Sequence, residues 1–192
     1  FSLTTLEICE GQQLDMEFES RCDVTEDEYI EMIRLKTAVL LAGSLKIGAI
    51  LAGATAEDAE NLYNFGMHIG VAFQLQDDLL DVYGDPEVFG KKIGGDILCN
   101  KKTYMLIKAL EHADEKQQEE LNRWLNAETF QPAEKIEAVT EIYNQLNIRN
   151  VCENKMREYY TLAMESLEAV AVAEEKKKEL KNLVKLLMYR EM

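Results

Sequence analysis

The side chains most able to do chemistry are crowded into Gln74-Leu75-Gln76-Asp77-Asp78-Leu79-Leu80-Asp81. On a helix, at about 100° per residue, Gln74, Asp77, Asp78 and Asp81 fall within one arc of roughly 100°, so all three carboxylates share a face. Like charges at this spacing oppose one another by about a few tenths of a kcal/mol per pair. Gly84-Asp85-Pro86 stops the pattern, which puts the cluster in the last turns of its helix, where the macrodipole costs each anion a further ~0.3–1 kcal/mol. Leu75, Leu79 and Val82 anchor the opposite side in a core, so the acidic face is expected to border a cavity or solvent. A divalent cation resolves the conflict. Carboxylates without nearby His or Cys suit a hard ion, and Mg²⁺ takes one or two of them together with waters and phosphate oxygens. Mg²⁺ with a diphosphate is the ligand chemistry this segment fits, against the plainer alternative of an exposed acidic patch.

Its neighbours favour the first reading. Gly90-Lys91-Lys92-Ile93-Gly94-Gly95-Asp96, followed by Lys101-Lys102-Thr103, is a glycine loop carrying cations suited to phosphate oxygens. Upstream, Lys36-Thr37 is expected to open a helix, whose free N–H groups and hydroxyl favour an anion. His68 and His112 are the two histidines; His68 lies nine residues before Asp77 and is assigned to packing, and His112 to a helix end.

The elements that position these groups are helical throughout. Apolar residues recur at three- and four-residue intervals, and two prolines and ten glycines leave few strand boundaries, so the chain is expected to be all-α. Thr25 to Glu28 has the form of a capping box, opening a helix to about residue 35. A second, more buried helix is expected over 36–51, and Thr55 to Asp58 caps one long helix running to Val82. Further helices are expected at about 101–111, 114–127, 132–146, 148–171 and 173–190, broken at Gln131-Pro132 and Asn147. Gly43, Gly48, Gly53, Gly66 and Gly70 offer close helix approach, and Lys176-Lys177-Lys178 is assigned to a solvated face.

Length and composition set outer bounds. The 192 residues, 47% hydrophobic and 30% charged, suit one folded domain. The net charge of -15 would repel a phosphate backbone, so no nucleic-acid partner is expected. Residues 37–56 are interrupted by Lys46 and assigned to a buried helix, so no membrane span is expected. Cys9, Cys22, Cys99 and Cys152 form no CxxC, which fits a reducing, cytoplasmic setting. Phe1 opens without an initiator Met or leader pattern, and a truncated start is expected.

Taken in order, Gly11-Gln12-Gln13-Leu14-Asp15, Lys36-Thr37, Phe73-Gln74-x-x-Asp77-Asp78-x-x-Asp81, the Gly90 to Asp96 loop and Lys101-x-Thr103 resemble the later half of a trans-isoprenyl diphosphate synthase. The motifs run from residue 1 to about 110. The resemblance implies an isoprenoid-synthase-like helical bundle around a central cavity, with the N-terminal helices missing. It implies Mg²⁺-dependent condensation of isopentenyl diphosphate with an allylic diphosphate, and a homodimer. Carried over by motif, Asp77 and Asp81 bind Mg²⁺, Asp81 through water, with Asp78 the weaker candidate for direct ligation. Lys36 contacts the allylic diphosphate, Thr37 and Gln74 place oxygens near the carbocation, Gln12 and Asp15 face the same cavity, and Phe73 lines the isopentenyl pocket. Lys91 or Lys92, and Lys101, add positive charge.

The sequences around Asp85, Phe89 and Gly95 resemble short-chain synthases making farnesyl or geranylgeranyl diphosphate. The family's first aspartate-rich motif and the basic residues for isopentenyl diphosphate do not occur in these 192 residues. The chain alone is therefore expected to bind diphosphate weakly, not to turn over, and to be part of a longer product. A non-catalytic subunit of a heteromeric synthase is the alternative, and retention of the clustered carboxylates argues against it. A terpene cyclase would not need the Gln12 to Asp15 motif or Lys101.

Overall fold

Caps and apolar faces set where each helix starts and what it covers. The computed structural model describes residues 2–85 and 93–188. Helix α1 spans Ser2–Phe18, α2 Glu26–Ile33, α3 Val39–Leu51 and α4 Ala56–Tyr83. Beyond the second boundary come α5 (Gly95–Leu98), α6 (Tyr104–His112), α7 (Glu115–Leu125), α8 (Pro132–Gln145), α9 (Ile148–Glu168) and α10 (Glu174–Met188). No strand occurs among the described residues, in agreement with the all-α expectation.

Local chemistry accounts for the boundaries. The Thr25 hydroxyl accepts from the Glu28 N–H while the Glu28 carboxylate accepts from the Thr25 N–H, a reciprocal cap on α2. Thr55 caps α4 by accepting from the Asp58 N–H. Pro132 sits at the first turn of α8, where its missing N–H leaves no bond unmade. Asn147 takes a left-handed φ of +56°, ending α8 and turning the chain into α9.

Helix α4 is the central element. Its 28 residues pack on α3 at one side and α9 at the other, burying Phe65, Ile69, Val71, Leu75, Leu79 and Val82. Gly66 and Gly70 make the α3 contact possible. A Cβ on them would lie 2.7 Å from Ala42 Cα and 2.6 Å from Ala38 Cα, so the two backbones meet almost directly. Gly48 and Gly53 face open space instead. Helix α3 is covered on only part of its circumference: Val39, Ala42 and Ala49 are buried, but Leu40, Leu41, Ile47, Ile50 and Leu51 remain exposed, where a buried helix was expected.

Three other expectations change. No helix begins at Lys36: nothing between Ile33 and Lys36 breaks or caps the chain, and α2 runs into α3 through a π-helical turn, Arg34–Ala38. Within it the Val39 N–H reaches back five residues to the Arg34 carbonyl. The helix expected from residue 101 begins at Tyr104, because the Thr103 hydroxyl accepts from the Leu106 N–H and so claims the N-cap. Lys101 and Lys102 thus sit in the turn before α6. Of the lysine run, Lys177 is buried rather than solvated. Its ammonium donates to the Glu168 carbonyl at 2.8 Å, satisfying an orphan carbonyl at the end of α9.

Candidate active site

The site is assembled from a close backbone approach. Gly11 of α1 lies against the π-turn so tightly that a Cβ there would be 2.3 Å from the Lys36 nitrogen. One turn further along α1, Asp15 then reaches Lys36, and the two side chains form an ion pair at 2.6 Å. This gives the Gly11-Gln12-Gln13-Leu14-Asp15 spacing a physical cause: the glycine sets the helix distance and the aspartate uses it.

Opposite, α4 presents the amide and carboxylate. The Thr37 hydroxyl donates to Gln74 Oε1 at 3.1 Å, and Gln74 Nε2 donates to Asp78 Oδ1 at 3.1 Å. The Tyr29 hydroxyl donates to the other Asp78 oxygen. Tyr29 and Asp78 are both buried, and burial pushes the Asp78 carboxyl up to about 7 against the lowering effect of these donors. Burial also lifts the Tyr29 phenol well above its usual range, so it stays a donor.

The third wall is the turn before α6. Asp81 accepts from the Asp96 N–H at 2.9 Å, and the Asp81 carbonyl accepts from the Gly94 N–H. The far end of α4 is thereby tied to the start of α5. Burial raises the Asp81 pKa against the lowering effect of that N–H bond. Lys101 lies 3.3 Å from the Asp96 carboxylate; burial works to lower its pKa, but Asp96 more than compensates, so the ammonium stays charged.

These groups enclose a cleft of about 50 Å³, room for a few waters, lined by Asp15, Phe18, Tyr29, Lys36, Gln74, Asp78, Lys101, Lys102 and Thr103 among others. Two of its cations, Lys36 and Lys101, are each neutralised by a carboxylate. An arriving anion therefore exchanges for Asp15 or Asp96 rather than meeting a bare charge.

Of the residues singled out by sequence, the structure brings Asp15, Lys36, Gln74, Asp78 and Lys101 to this cleft, and Thr37 joins it through Gln74. Asp77 and Asp81 are not among the residues lining the cleft; Asp77 is half-buried on α4, and among the described residues its carboxylate has no hydrogen-bond or ion-pair partner. Phe73 is half-buried on α4, and Gln12 is exposed on α1. Asp78 borders the cleft, in keeping with the expectation that the acidic face meets a cavity or solvent, and Tyr29 helps to bury it. Lys91 and Lys92 lie outside the described residues. Sequence reasoning missed Tyr29 and Asp96. Tyr29 is 49 residues from its partner and looks like a core aromatic of α2; the only hint is that a buried phenol needs an acceptor.

No three His, Cys, Asp or Glu side chains converge as a metal cage among the described residues. A carboxylate such as Asp77, without a partner among the described residues, fits Mg²⁺, which takes few protein ligands and fills its shell with water and phosphate oxygens.

Comparison with known proteins agrees with this geometry. The polyprenyl synthetase family model matches residues 1–146. A short chain isoprenyl diphosphate synthase of Methanothermobacter thermautotrophicus is 53% identical over 116 residues, covering 60% of this chain and 36% of that protein. A geranylgeranyl diphosphate synthase of Sulfolobus acidocaldarius is 36% identical over 171 residues, covering 89% of this chain and 51% of that protein. A crystal structure of geranylgeranyl pyrophosphate synthase superposes with a TM-score of 0.92 at 41% identity, covering all of this chain and 60% of the other. The chain spans about half the length of the curated relatives it matches along most of its own length. Motif order, a cleft built by those motifs and this similarity agree: the chain belongs to the polyprenyl synthetase family.

Proposed function

We propose that this chain carries the allylic-diphosphate side of a trans-prenyltransferase site. The reaction breaks the C1–O bond of an allylic diphosphate, releases pyrophosphate, joins C1 to C4 of isopentenyl diphosphate through its double-bond electrons, and loses one proton from C2. The observation that carries this reading is the convergence of Asp15, Lys36, Gln74, Asp78 and Lys101, spread over 87 positions of sequence, on one cleft.

Lys36 and Lys101 hold the departing phosphate oxygens once these displace Asp15 and Asp96. Thr37 has committed its proton to Gln74, so a positive carbon approaching from the cleft meets oxygen lone pairs. Asp77, and Asp81 through water, would hold Mg²⁺, which when bound neutralises charge building on the leaving group. Asp78 is already engaged by Tyr29 and Gln74, and we assign it to orienting Gln74. Phe73, and whichever of Lys91 and Lys92 reaches the site, keep the roles that the resemblance gives them.

The product class proposed is C15 or C20, supported by the printed names of the relatives. A homodimer is proposed on the exposed apolar side chains Leu3 and Leu6 of α1 and Ile47, Ile50 and Leu51 of α3. Four free cysteines support a reducing, cytoplasmic setting. No helix among the described residues is long and apolar enough to cross a membrane.

The test joins this chain to the N-terminal half of a full-length geranylgeranyl diphosphate synthase and analyses products by mass spectrometry, with Mg²⁺, isopentenyl diphosphate and dimethylallyl diphosphate supplied. A C15 or C20 product is expected from the chimera, none from its Asp77→Ala variant, and none from the 192-residue chain by itself. A folded chimera that makes no product would refute the catalytic reading in favour of a non-catalytic subunit.

A further inference from the structure

Lys135 of α8 is a buried lysine with an unusual partner. It is 1% exposed, yet no carboxylate pairs with it among the described residues. Its ammonium donates to Asn100 Oδ1 at 2.6 Å and lies 4.3 Å from the centre of the Phe130 ring. A buried ammonium held by an amide oxygen and an aromatic face costs desolvation that an aliphatic side chain would avoid. Burial accordingly pushes its pKa down. Packing alone gives no reason for a lysine here.

Asn100 does have a use for it. Its φ of +54° is the left-handed conformation that turns the chain between α5 and α6. Every polar group of Asn100 is engaged. Its N–H donates to the Ile97 carbonyl, its carbonyl accepts from the Lys102 ammonium at 3.0 Å, and its Nδ2 donates to the Leu125 carbonyl at the end of α7 at 3.0 Å. Lys135 supplies the fourth bond. The next residue is Lys101, which faces the cleft, and Lys101 and Lys135 also line one small cavity behind the cleft wall.

We infer that Lys135 is a positioning residue: acting through Asn100, it ties α8 to the turn before α6 and fixes the direction in which Lys101 meets phosphate. This rests on the proposed diphosphate-binding role of the cleft. Lys135 touches no substrate and stands outside the family motifs quoted above.

The experiment is an NMR titration of the full chain with inorganic pyrophosphate and Mg²⁺, comparing wild type, Lys101→Ala, Lys135→Met, Asn100→Gly and the Lys101→Ala/Lys135→Met double variant. Lys135→Met keeps the volume and removes the ammonium, while Asn100→Gly keeps the backbone turn and the Lys135 charge but removes both side-chain bonds of Asn100, to Lys135 and to the Leu125 carbonyl. Each is expected to weaken pyrophosphate binding about fivefold, the loss of one hydrogen bond. Lys135→Met leaves Asn100 Oδ1 without its donor, so a lower melting temperature is expected and does not discriminate; the readout that a merely structural role would not move is the dependence on Lys101. In the Lys101→Ala background, Lys135→Met is expected to cost nothing further.

Unchanged affinity in Lys135→Met, or an equal loss with and without Lys101, would overturn the positioning role while leaving the cleft's function intact. A wild-type chain that does not bind pyrophosphate, or binding untouched by Lys101→Ala, would overturn the functional reading and this inference with it.

Discussion

Replacing Tyr29 by Phe removes one oxygen from the buried wall of the cleft and little else. That oxygen is the donor to one Asp78 oxygen; Gln74 continues to serve the other. Leaving a buried acceptor without its donor costs about 1–3 kcal/mol. Asp78 can soften this, because burial has already pushed its carboxyl up to about 7 and losing the phenol lifts it further. The Phe variant therefore takes up a proton near neutral pH and loses a neutral group's satisfaction rather than a charged one's, which places the cost at about 1–2 kcal/mol. For a chain of this length each kcal/mol moves the midpoint by about 2–4 °C, so a fall of roughly 2–8 °C is expected. Urea denaturation followed by circular dichroism should show a lower midpoint at unchanged slope. A double-mutant cycle with Asp78→Asn isolates the pair. A loss below about 0.5 kcal/mol, or strict additivity in the cycle, would refute the argument that Tyr29 exists to serve Asp78.

Other consequences can be measured as directly. Gly70→Ala should destabilise the fold by about 1–3 kcal/mol despite the better helix propensity of alanine, because its Cβ would strike the Ala38 backbone. Gly48→Ala on the open side of α3 should instead stabilise by about 0.5–1 kcal/mol, and equal effects at the two sites in thermal melts would refute the packing account. Glu26 bridges Lys108 at 2.5 Å and Lys155 at 3.0 Å; burial pushes its carboxyl up, but hydrogen bonds from both ammonium groups hold its pKa below 4.5. Its contribution is thus present above the unfolded value and lost as pH falls through the lower folded one. Glu26→Gln should flatten the acid limb of a stability-versus-pH curve, and an unaltered limb would count against the bridge. Asp77→Ala should leave melting unchanged to within about 0.5 kcal/mol, having no partner to lose among the described residues, while abolishing the Mg²⁺ dependence of pyrophosphate binding.

What could be foreseen from the sequence was whatever depends on neighbours within a few positions. Thr25 with Glu28, Thr55 with Asp58 and Pro132 declare helix starts through bonds spanning three residues or less, and each appears where expected. Leu75, Leu79 and Val82 declare the buried face of α4 by helical period alone. The cleft was legible only as a set of motifs, because their convergence depends on how three helices pack. The role of Gly11 could not be seen without the π-turn it touches, and no residue type in Arg34 to Ala38 announces that turn. Tyr29 was missed and Lys177 misjudged for a shared reason. Each pairs a local pattern, core aromatic or charged surface run, with a polar partner supplied by another helix, α4 for Tyr29 and the end of α9 for Lys177.

The π-turn has a consequence for how this part of the molecule can change. Taking up one residue more than an α-helix needs, it sets the rotational phase of everything after it by about 100°. Deleting any single residue from Arg34 to Ala38 would leave a more regular helix, and a worse protein: Ala38 and Ala42 would swing away from Gly70 and Gly66, and Lys36 away from Asp15. Substitutions here alter one contact at a time, whereas a change of length misaligns the whole of α3 at once. The fit between α1, α3 and α4 is thus held by a count of residues as much as by their identities, so length is the property of this stretch least free to drift.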